Sequence, residues 1–75
     1  MEPPYVAIGF YKNERRFLGY NPAFGKAVAV TNPNDAMQFS TAQEAAVAAL
    51  LMSAAFNLAH CRAVDINEAM SVQPA

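Results

Sequence analysis

An uninterrupted alanine-rich run in the second half of the chain constrains the fold most. From residue 41 to about residue 60 there is no Gly or Pro, and eight of these twenty residues are Ala, the strongest helix former. Ser40 or Thr41 can cap the start, and Gln43 or Glu44 then follows three residues later to complete a capping box. The run therefore predicts one helix of about five turns.

The residues before this helix predict a β-hairpin and a third strand. Val6, Ile8 and Phe10 alternate with smaller or aromatic neighbours, a pattern typical of a strand with one face in the core. A run of polar residues then predicts a hairpin connection, and two later clusters of Asn, Pro and Gly predict turns. The predicted strands are residues 5–11, 16–20 and 26–31; the connections are 12–15, 21–25 and 32–35, followed by a short extended piece over 36–39.

The chain after residue 60 allows two interpretations. Residues 61–67 alternate as a final strand would, with Val64 and Ile66 inward, whereas a short second helix through Glu68 and Met70 is the competing prediction. The tail 71–75 is expected to be disordered. The sequence thus predicts a single α+β domain, a three- to four-stranded antiparallel sheet packed on one long helix in the order β-β-β-α-β. We expect the helix to cover one sheet face and to leave the other to solvent or a partner.

Size and composition favour association with another chain. Seventy-five residues make a thin core, and the single Cys61 cannot form an intrachain disulfide to reinforce it. The chain is 55% hydrophobic and only 15% charged, which excludes disorder as the main state and leaves few charges to cover the surface. Small domains without such reinforcement often oligomerise, so we expect a homodimer.

Charge and hydropathy argue against membranes and targeting segments. A net charge of −1 gives no long-range attraction to nucleic acid or to an anionic membrane. The apolar run 45–59 is shorter than the roughly 20 residues that span a bilayer. The N-terminal residues have neither the positive region nor the long apolar region of a signal peptide. The sequence therefore predicts a cytoplasmic protein without a membrane partner.

A helical wheel divides the alanine-rich helix into two apolar faces. The first face carries the bulkier side chains and is predicted to pack on the sheet; it consists of Val47, Leu50, Leu51, Ala54 and Leu58. The second face is predicted to be an oligomer or partner interface; it consists of Ala45, Ala48, Ala49, Met52, Ala55, Phe56 and Ala59. The alternative is that alanine is tolerated in solvent and that only Met52 and Phe56 need cover from nearby loops.

The hairpin supplies a second candidate site. It mixes cations with aromatic rings, a combination that can contact single-stranded nucleic acid or another ligand. A solvated turn is the alternative, because a hairpin tip needs polar residues in any case and Glu14 lies among the cations. The candidate contact residues are Tyr11, Lys12, Arg15, Arg16, Tyr20 and Lys26.

No combination of residues predicts catalysis, a metal site or a cofactor. His60 and Cys61 are the only adjacent base and nucleophile, but neighbouring helical side chains diverge by about 100°. A histidine that interacts favourably with the C-terminal helix dipole is the simpler interpretation. The turn over 32–35 could bind an ion, but Pro33 and the lack of a downstream Glu in register argue against an EF-hand. We therefore expect no enzyme, no metal and no cofactor.

The joint between the extended piece and the helix resembles that of many very small bacterial and phage proteins. In residues 35–45 Ala36 is followed by Phe39, Ser40 or Thr41 and then Glu44-Ala45, as in hairpin-plus-helix proteins of unassigned function. Several anti-defence proteins of phages, anti-CRISPR proteins among them, have a similar size and layout. The resemblance implies a setting in phage or mobile-element biology and assigns no functional residues.

These observations lead to a function expectation with one alternative. The sequence predicts a non-catalytic protein-interaction module that forms a homodimer and binds a protein partner, as a phage-type inhibitor of a host complex would. The alternative is a nucleic-acid-binding accessory protein that uses the basic and aromatic hairpin.

Overall fold

A computed structural model describes residues 4–69 and residue 71, and over these residues the chain folds into one antiparallel sheet with two helices. The strand order is β3-β2-β1-β4, so β3 and β4 are the edges. The predicted α+β fold class is confirmed. The elements are β1 (Tyr5–Tyr11), β2 (Glu14–Asn21), β3 (Lys26–Val30), a 3₁₀ turn (Pro33–Asp35), α1 (Ala42–Phe56), β4 (Ala59–Asp65) and α2 (Ile66–Ala69).

The end of the described chain combines the two predicted alternatives. Residues through Asp65 form the fourth strand, and the chain then turns into the short helix α2. Met70 and residues 72–75, on which the predicted disorder mostly falls, lie outside the described residues. Ser71 is described, and its amide donates to the carbonyl of Glu68.

The β1–β2 connection is shorter than predicted. Lys12 and Asn13 alone form the turn, both with positive φ (51° and 66°), and β2 already begins at Glu14. Two consecutive left-handed residues match the twist of a hairpin, and Asn tolerates that conformation well. The polar residues Glu14 and Arg15, expected in the loop, therefore belong to the ladder, where they pair with Tyr11 and Phe10.

Helix α1 starts as predicted but ends early. Thr41 is the N-cap: the amide of Glu44 donates to Thr41 Oγ1 (3.2 Å), and Thr41 Oγ1 donates to Glu44 Oε1 (3.1 Å). Ser40 Oγ also donates to that carboxylate at 3.0 Å. The helix stops after 15 residues because Asn57 takes a left-handed conformation (φ 55°) and reverses the chain. The predicted five turns are therefore four, and His60 lies in β4 instead of the helix.

The sheet face opposite helix α1 is also packed against other parts of the chain, which corrects the expectation that this face is open. Val6, Ile8, Phe10, Phe17 and Val64 share one face, here called the bulky face, and all are buried. The short helix α2 and the chain around the 3₁₀ turn pack on it through Ala69, Ile66 and Ala36. On this face a Cβ at Gly19 would lie 3.0 Å from the carbonyl oxygen of Asp35, so a close backbone approach requires the glycine.

Helix α1 packs on the opposite face, here called the helix face, where β1 presents small residues. Ala7 and Gly9 lie beneath the helix and the loop that follows it. A Cβ at Gly9 would lie 2.7 Å from Cys61 Sγ and 3.1 Å from Leu58 Cβ. Opposite Gly9 the pairing of β1 with β4 shifts register, and His60 takes a positive φ of 54°. The small residues of β1 therefore allow α1 and β4 to approach closely.

The predicted extended piece joins the two faces. Ala36 packs with the bulky-face core, whereas Met37 and Phe39 pack against the helix-face core. Strand β1 pairs with β2 only from Ile8 to Tyr11; beyond that point Tyr5 exchanges two 2.8 Å backbone hydrogen bonds with Phe39. The amide of Met37 donates to the carbonyl of Leu18 in β2 (2.8 Å). These bonds fix where α1 begins over the sheet.

Candidate protein-binding surface

The orientation of α1 is the reverse of the predicted one. The side chains against the sheet are the small ones and Met52: Ala45, Ala48, Ala49 and Met52 are all buried. Leu50, Leu51 and Val47 were expected in the core, but 71%, 65% and 54% of their surfaces are exposed. The prediction was wrong because it took side-chain bulk as the sign of burial. A helix above Ala7 and Gly9 can come close only through its own small residues.

The predicted interface set consequently does not form one surface. Its four buried members face the chain's own sheet and are each at most 6% exposed. Phe56 is half-buried against the same core, and Ala59 is exposed in β4 beyond the end of the helix. Ala55 is exposed on α1. Leu58, predicted to lie on the sheet-packing face of the helix, is buried, but from the loop that follows α1.

A groove lies beside α1, and sequence reasoning missed it. The helix rests mainly on β1 and β4 and hardly touches β2, which leaves the β2–β3 half of the helix face without a helix. The resulting groove has a volume of about 600 Å³. Its lining is formed by Leu18, Ala27, Met37, Phe39, Thr41, Gln43, Glu44, Val47, Ala48, Leu51, Met52, Ala55 and Phe56.

The groove is apolar, and its one charge is already engaged. Among the described lining residues only Glu44 is ionisable, and its carboxylate accepts hydrogen bonds from Ser40 and Thr41 at the helix cap. The floor continues outward to the exposed Ala27 and Ala29 of β3 and to Tyr20 of β2, which is 53% exposed. The floor of the groove and its helix wall therefore expose mainly apolar side chains to solvent.

The side of α1 turned away from the sheet is apolar as well. At 100° per residue Leu50, Val47 and Ala54 point away from the buried face, and Leu51 points toward the groove. We call the exposed residues Val47, Leu50, Leu51 and Ala54 the outer face of α1. Apart from Gln43, Glu44 and Ser53 this helix has only apolar side chains, and a helix that is hydrophobic over most of its surface is normally buried over most of it. Here α1 is buried on one side only.

The basic hairpin does not present its cations together. Paired residues of the ladder share a face, so Arg15 opposite Phe10 lies on the bulky face and Arg16 opposite Gly9 on the helix face. Arg15 Nη1 donates to the carbonyl of Ala69 (3.4 Å), and Arg16 forms a 2.8 Å ion pair with Glu14.

The remaining hairpin residues are also spread out. Lys12 Nζ lies 5.4 Å from the centre of the Tyr11 ring at the turn. Lys26 and Tyr20 lie at the other end of β2, where Lys26 pairs with Asn21 and Tyr20 with Ala27. The six predicted contact residues therefore occupy two faces and two ends of the sheet.

His60 and Cys61 lie in β4 and not at the end of a helix, so the dipole interpretation of His60 was wrong. His60 is exposed, whereas Cys61 is half-buried and its Sγ donates to the carbonyl of Leu58 (3.6 Å). Burial raises the pKa of the Cys61 thiol. Within residues 4–69 and 71, no three His, Cys, Asp or Glu side chains are grouped so that they could hold a metal ion.

The turn over residues 32–35 is held by its own hydrogen bonds. The side chain of Asn32 accepts from the amide of Asn34 (2.9 Å) and caps the 3₁₀ turn. The amide of Asp35 donates to the carbonyl of Asn32 (3.0 Å). This geometry is that of a capped turn on the bulky face.

Comparison with protein-family models, with curated proteins and with solved structures found no match. The resemblance to small phage and bacterial proteins stays a prediction. None of the helices in the described part of the chain combines the length and apolar character needed to cross a membrane.

Proposed function

We propose that this protein is a non-catalytic protein-interaction module that binds its partner through the groove and the outer face of α1. One observation carries the proposal: α1 is apolar apart from Gln43, Glu44 and Ser53, yet its own fold buries only the side that carries Ala45, Ala49 and Met52. Exposed apolar patches that are contiguous and edged by polar residues mark sites of protein association.

The energetics favour a macromolecular partner. Fully burying an aliphatic side chain is worth about 1.5–3 kcal/mol, so Leu50 and Leu51, each exposed by more than 60%, can each contribute roughly 1–2 kcal/mol on binding. Leu50 lies outside the groove lining, so a small molecule within the groove would leave it in water. A partner that covers both the groove and the outer face must be larger, and an amphipathic helix with its own apolar face has the matching shape.

The nucleic-acid alternative gains no support from the position of the cations. Arg15 and Arg16 lie on opposite faces of the sheet, and Lys26 lies at the far end of β2 from Lys12. A phage-type inhibitor would be a module of the proposed kind; that use, and a cytoplasmic location, stay predictions.

The test is capture of binding proteins from the source cells with three forms of the chain. Leu51→Glu places a carboxylate on the groove wall; Ala46→Glu places the same charge on an exposed site of α1 outside the groove lining. We expect mass spectrometry to find a partner with the wild type and Ala46→Glu and to lose it with Leu51→Glu. Capture that Leu51→Glu leaves unchanged would contradict the proposed surface.

A further inference from the structure

The two edges of the sheet differ in how open they are to another strand. At the β4 edge the pairing with β1 shifts register opposite Gly9, His60 has a positive φ, and the charged Arg62 is exposed. Bulges and charged side chains of this kind keep an edge strand from pairing with a further strand. The five residues of β3 pair with β2 in unbroken register, contain no Pro, and carry one charge, on Lys26. In the described part of the chain β2 alone pairs with β3, so the β3 edge is open.

The outward hydrogen-bonding groups of β3 belong to Ala27 and Ala29, which are both exposed. The carbonyl of Leu18 in β2 accepts from the amide of Met37, which lies on the side of β2 away from β3. Successive residues of a strand direct their amides and carbonyls to opposite edges, so the next residue of β2 directs them to its partner Val28 in β3. The groups of Val28 therefore point back to β2. Those of Ala27 and Ala29, on either side, point out to the open edge.

We propose that a second copy of this chain pairs with this edge, β3 against β3 and antiparallel, with the two Val28 residues opposite each other on a two-fold axis perpendicular to the sheet. This register pairs all five residues of β3, and any shift pairs fewer. Ala27 of each copy exchanges both backbone hydrogen bonds with Ala29 of the other, so two bonds in each of two pairs make four. The two four-stranded sheets become one sheet of eight strands with the bulged β4 edges at its ends.

The sequence of β3 fits a copy of itself. Val28 has an alanine on each side, so the small side chains of Ala27 and Ala29 lie opposite each other on the helix face of the new ladder. Lys26 lies opposite Val30 of the other copy, four residues along the strand from the second Lys26. At about 3.3 Å per residue this separates the two lysines by about 13 Å along the ladder. No like charges therefore lie opposite each other in the new pairing.

The turn before β3 supplies a second observation. Among the described residues Phe24 is the most exposed large apolar side chain, at 75%. Continued past the ends of β3, the same register brings this turn beside Thr31 and Asn32 of the other copy. These two residues line a pocket of about 430 Å³ together with Pro33 and others. The pairing thus gives Phe24 a cover that it lacks in the single chain.

This contact is separate from the surface of the proposed function. A two-fold axis perpendicular to the sheet leaves both copies of α1 on the same side of it. Each α1 rests mainly on its own β1 and β4, so the β2 and β3 strands of both copies lie between the two helices. The grooves therefore stay open in the dimer.

Sedimentation equilibrium tests the edge with variants of its backbone. We expect a wild-type dimer. Ala29→Pro removes an outward amide from each copy, and with it two of the four hydrogen bonds, so dimerisation should weaken by at least about 100-fold. This amide takes no part in the β2–β3 ladder, and Pro is tolerated at such positions of edge strands. Ala29→Thr keeps the amide and should leave the dimer intact; the circular dichroism of each variant reports whether it is folded.

Disulfide trapping in a Cys61→Ser background tests the register. Only residues on a two-fold axis lie next to their own copies. Val28→Cys places the two Cα atoms about 4.5–5.5 Å apart, within the range of a disulfide, whereas the two Cα atoms of Lys26→Cys are at least about 13 Å apart. We expect mild oxidation to link Val28→Cys into a dimer and to leave Lys26→Cys unlinked.

The outcomes separate this contact from the groove. A wild-type chain that stays a monomer up to about 1 mM overturns the dimer. A dimer that a folded Ala29→Pro leaves unchanged overturns the pairing of β3, and so does linkage of Lys26→Cys as fast as that of Val28→Cys. Leu51→Glu should leave the dimer intact, and a dimer lost in this variant would place the contact in the groove instead. A monomeric Ala29→Pro that still captures the cellular partner lost by Leu51→Glu would support both surfaces as independent.

Discussion

Replacing Gly9 with alanine tests how closely α1 and β4 approach the sheet. Gly9 is buried in β1 beneath the loop after α1. An added Cβ would lie 2.7 Å from Cys61 Sγ, 3.1 Å from Leu58 Cβ and 3.3 Å from Leu58 Cδ1. The first of these distances is well inside van der Waals contact, so at least one neighbour has to move.

The expected change in the free energy of unfolding of Gly9→Ala is the difference between two opposing effects. Alanine is favoured over glycine within a strand by about 0.5–1 kcal/mol, because its backbone has less conformational freedom in the unfolded state and so loses less on folding. Overpacking a filled site costs about 1–3 kcal/mol, and Leu58 is only 7% exposed, so it has little space into which it can shift. The net loss should be about 1–2 kcal/mol, which in a domain of this size lowers the Tm by roughly 5–15 °C.

A double-mutant cycle checks the cause. Urea denaturation followed by circular dichroism, at one fixed chain concentration, gives the free energy of unfolding of Gly9→Ala, Cys61→Ala and the double variant. Removing Sγ takes away the closest contact, so the double variant should be more stable than additivity predicts by at least about 0.5 kcal/mol. A Gly9→Ala chain as stable as the wild type, or strictly additive effects, would refute the close approach.

Three further predictions address the helix and the thiol. Thr41→Ala should lower the free energy of unfolding by about 1 kcal/mol, because the amide of Glu44 loses its hydrogen bond to Thr41 Oγ1. A urea midpoint equal to that of the wild type would show that this cap does not stabilise the helix. Ala49→Leu should lower the free energy of unfolding by about 1–3 kcal/mol, because Ala49 is only 2% exposed and the larger side chain has no room. Ala46→Leu, at an exposed position, should change the free energy of unfolding by less than about 0.5 kcal/mol. Equal losses for the two variants would mean that α1 presents a different side to the sheet. Burial raises the pKa of the Cys61 thiol. The alkylation rate of Cys61 should therefore reach half its maximum at a higher pH in the native chain than in the urea-unfolded chain. Identical pH–rate profiles for the two states would contradict the raised pKa. The folded state holds this proton more tightly, so the thiol's contribution to stability is present below its ordinary pKa of 9.0 and is lost as the pH rises above it.

Local patterns predicted the elements well. The alternation of Val6, Ile8 and Phe10 marks β1 with its observed bounds. The capping-box pattern, with Ser40 or Thr41 as the cap, marks the first residue of α1 to within one position, and the structure selects Thr41. These features depend on neighbours within a few residues. The predicted end of α1 is too late because an Asn can either continue a helix or end it in a left-handed conformation, as Asn57 does. Which of the two occurs depends on distant contacts, here the packing of Leu58 in the core and the strand that follows.

The packing of α1 was predicted wrongly for a different reason. The wheel assigned Leu50 and Leu51 to the sheet, although β1 presents Ala7 and Gly9 on the face that the helix uses. Matching the small side of the strand to the small side of the helix was the signal that could have given the correct orientation. The groove could not have been found in this way, because it depends on the lateral position of α1 over β1 and β4, which no periodicity encodes.

The most direct test of the binding surface is methyl NMR of the isotope-labelled chain, recorded before and after addition of the partner protein that the wild type captures. We expect the methyl signals of Leu50, Leu51 and Val47, which are exposed in the free chain, to shift or broaden, and those of Val6 and Ile8 in the opposite core to stay in place. Changes confined to other surfaces, such as the edge of β4, with the Leu50 and Leu51 signals unmoved would contradict the proposed surface.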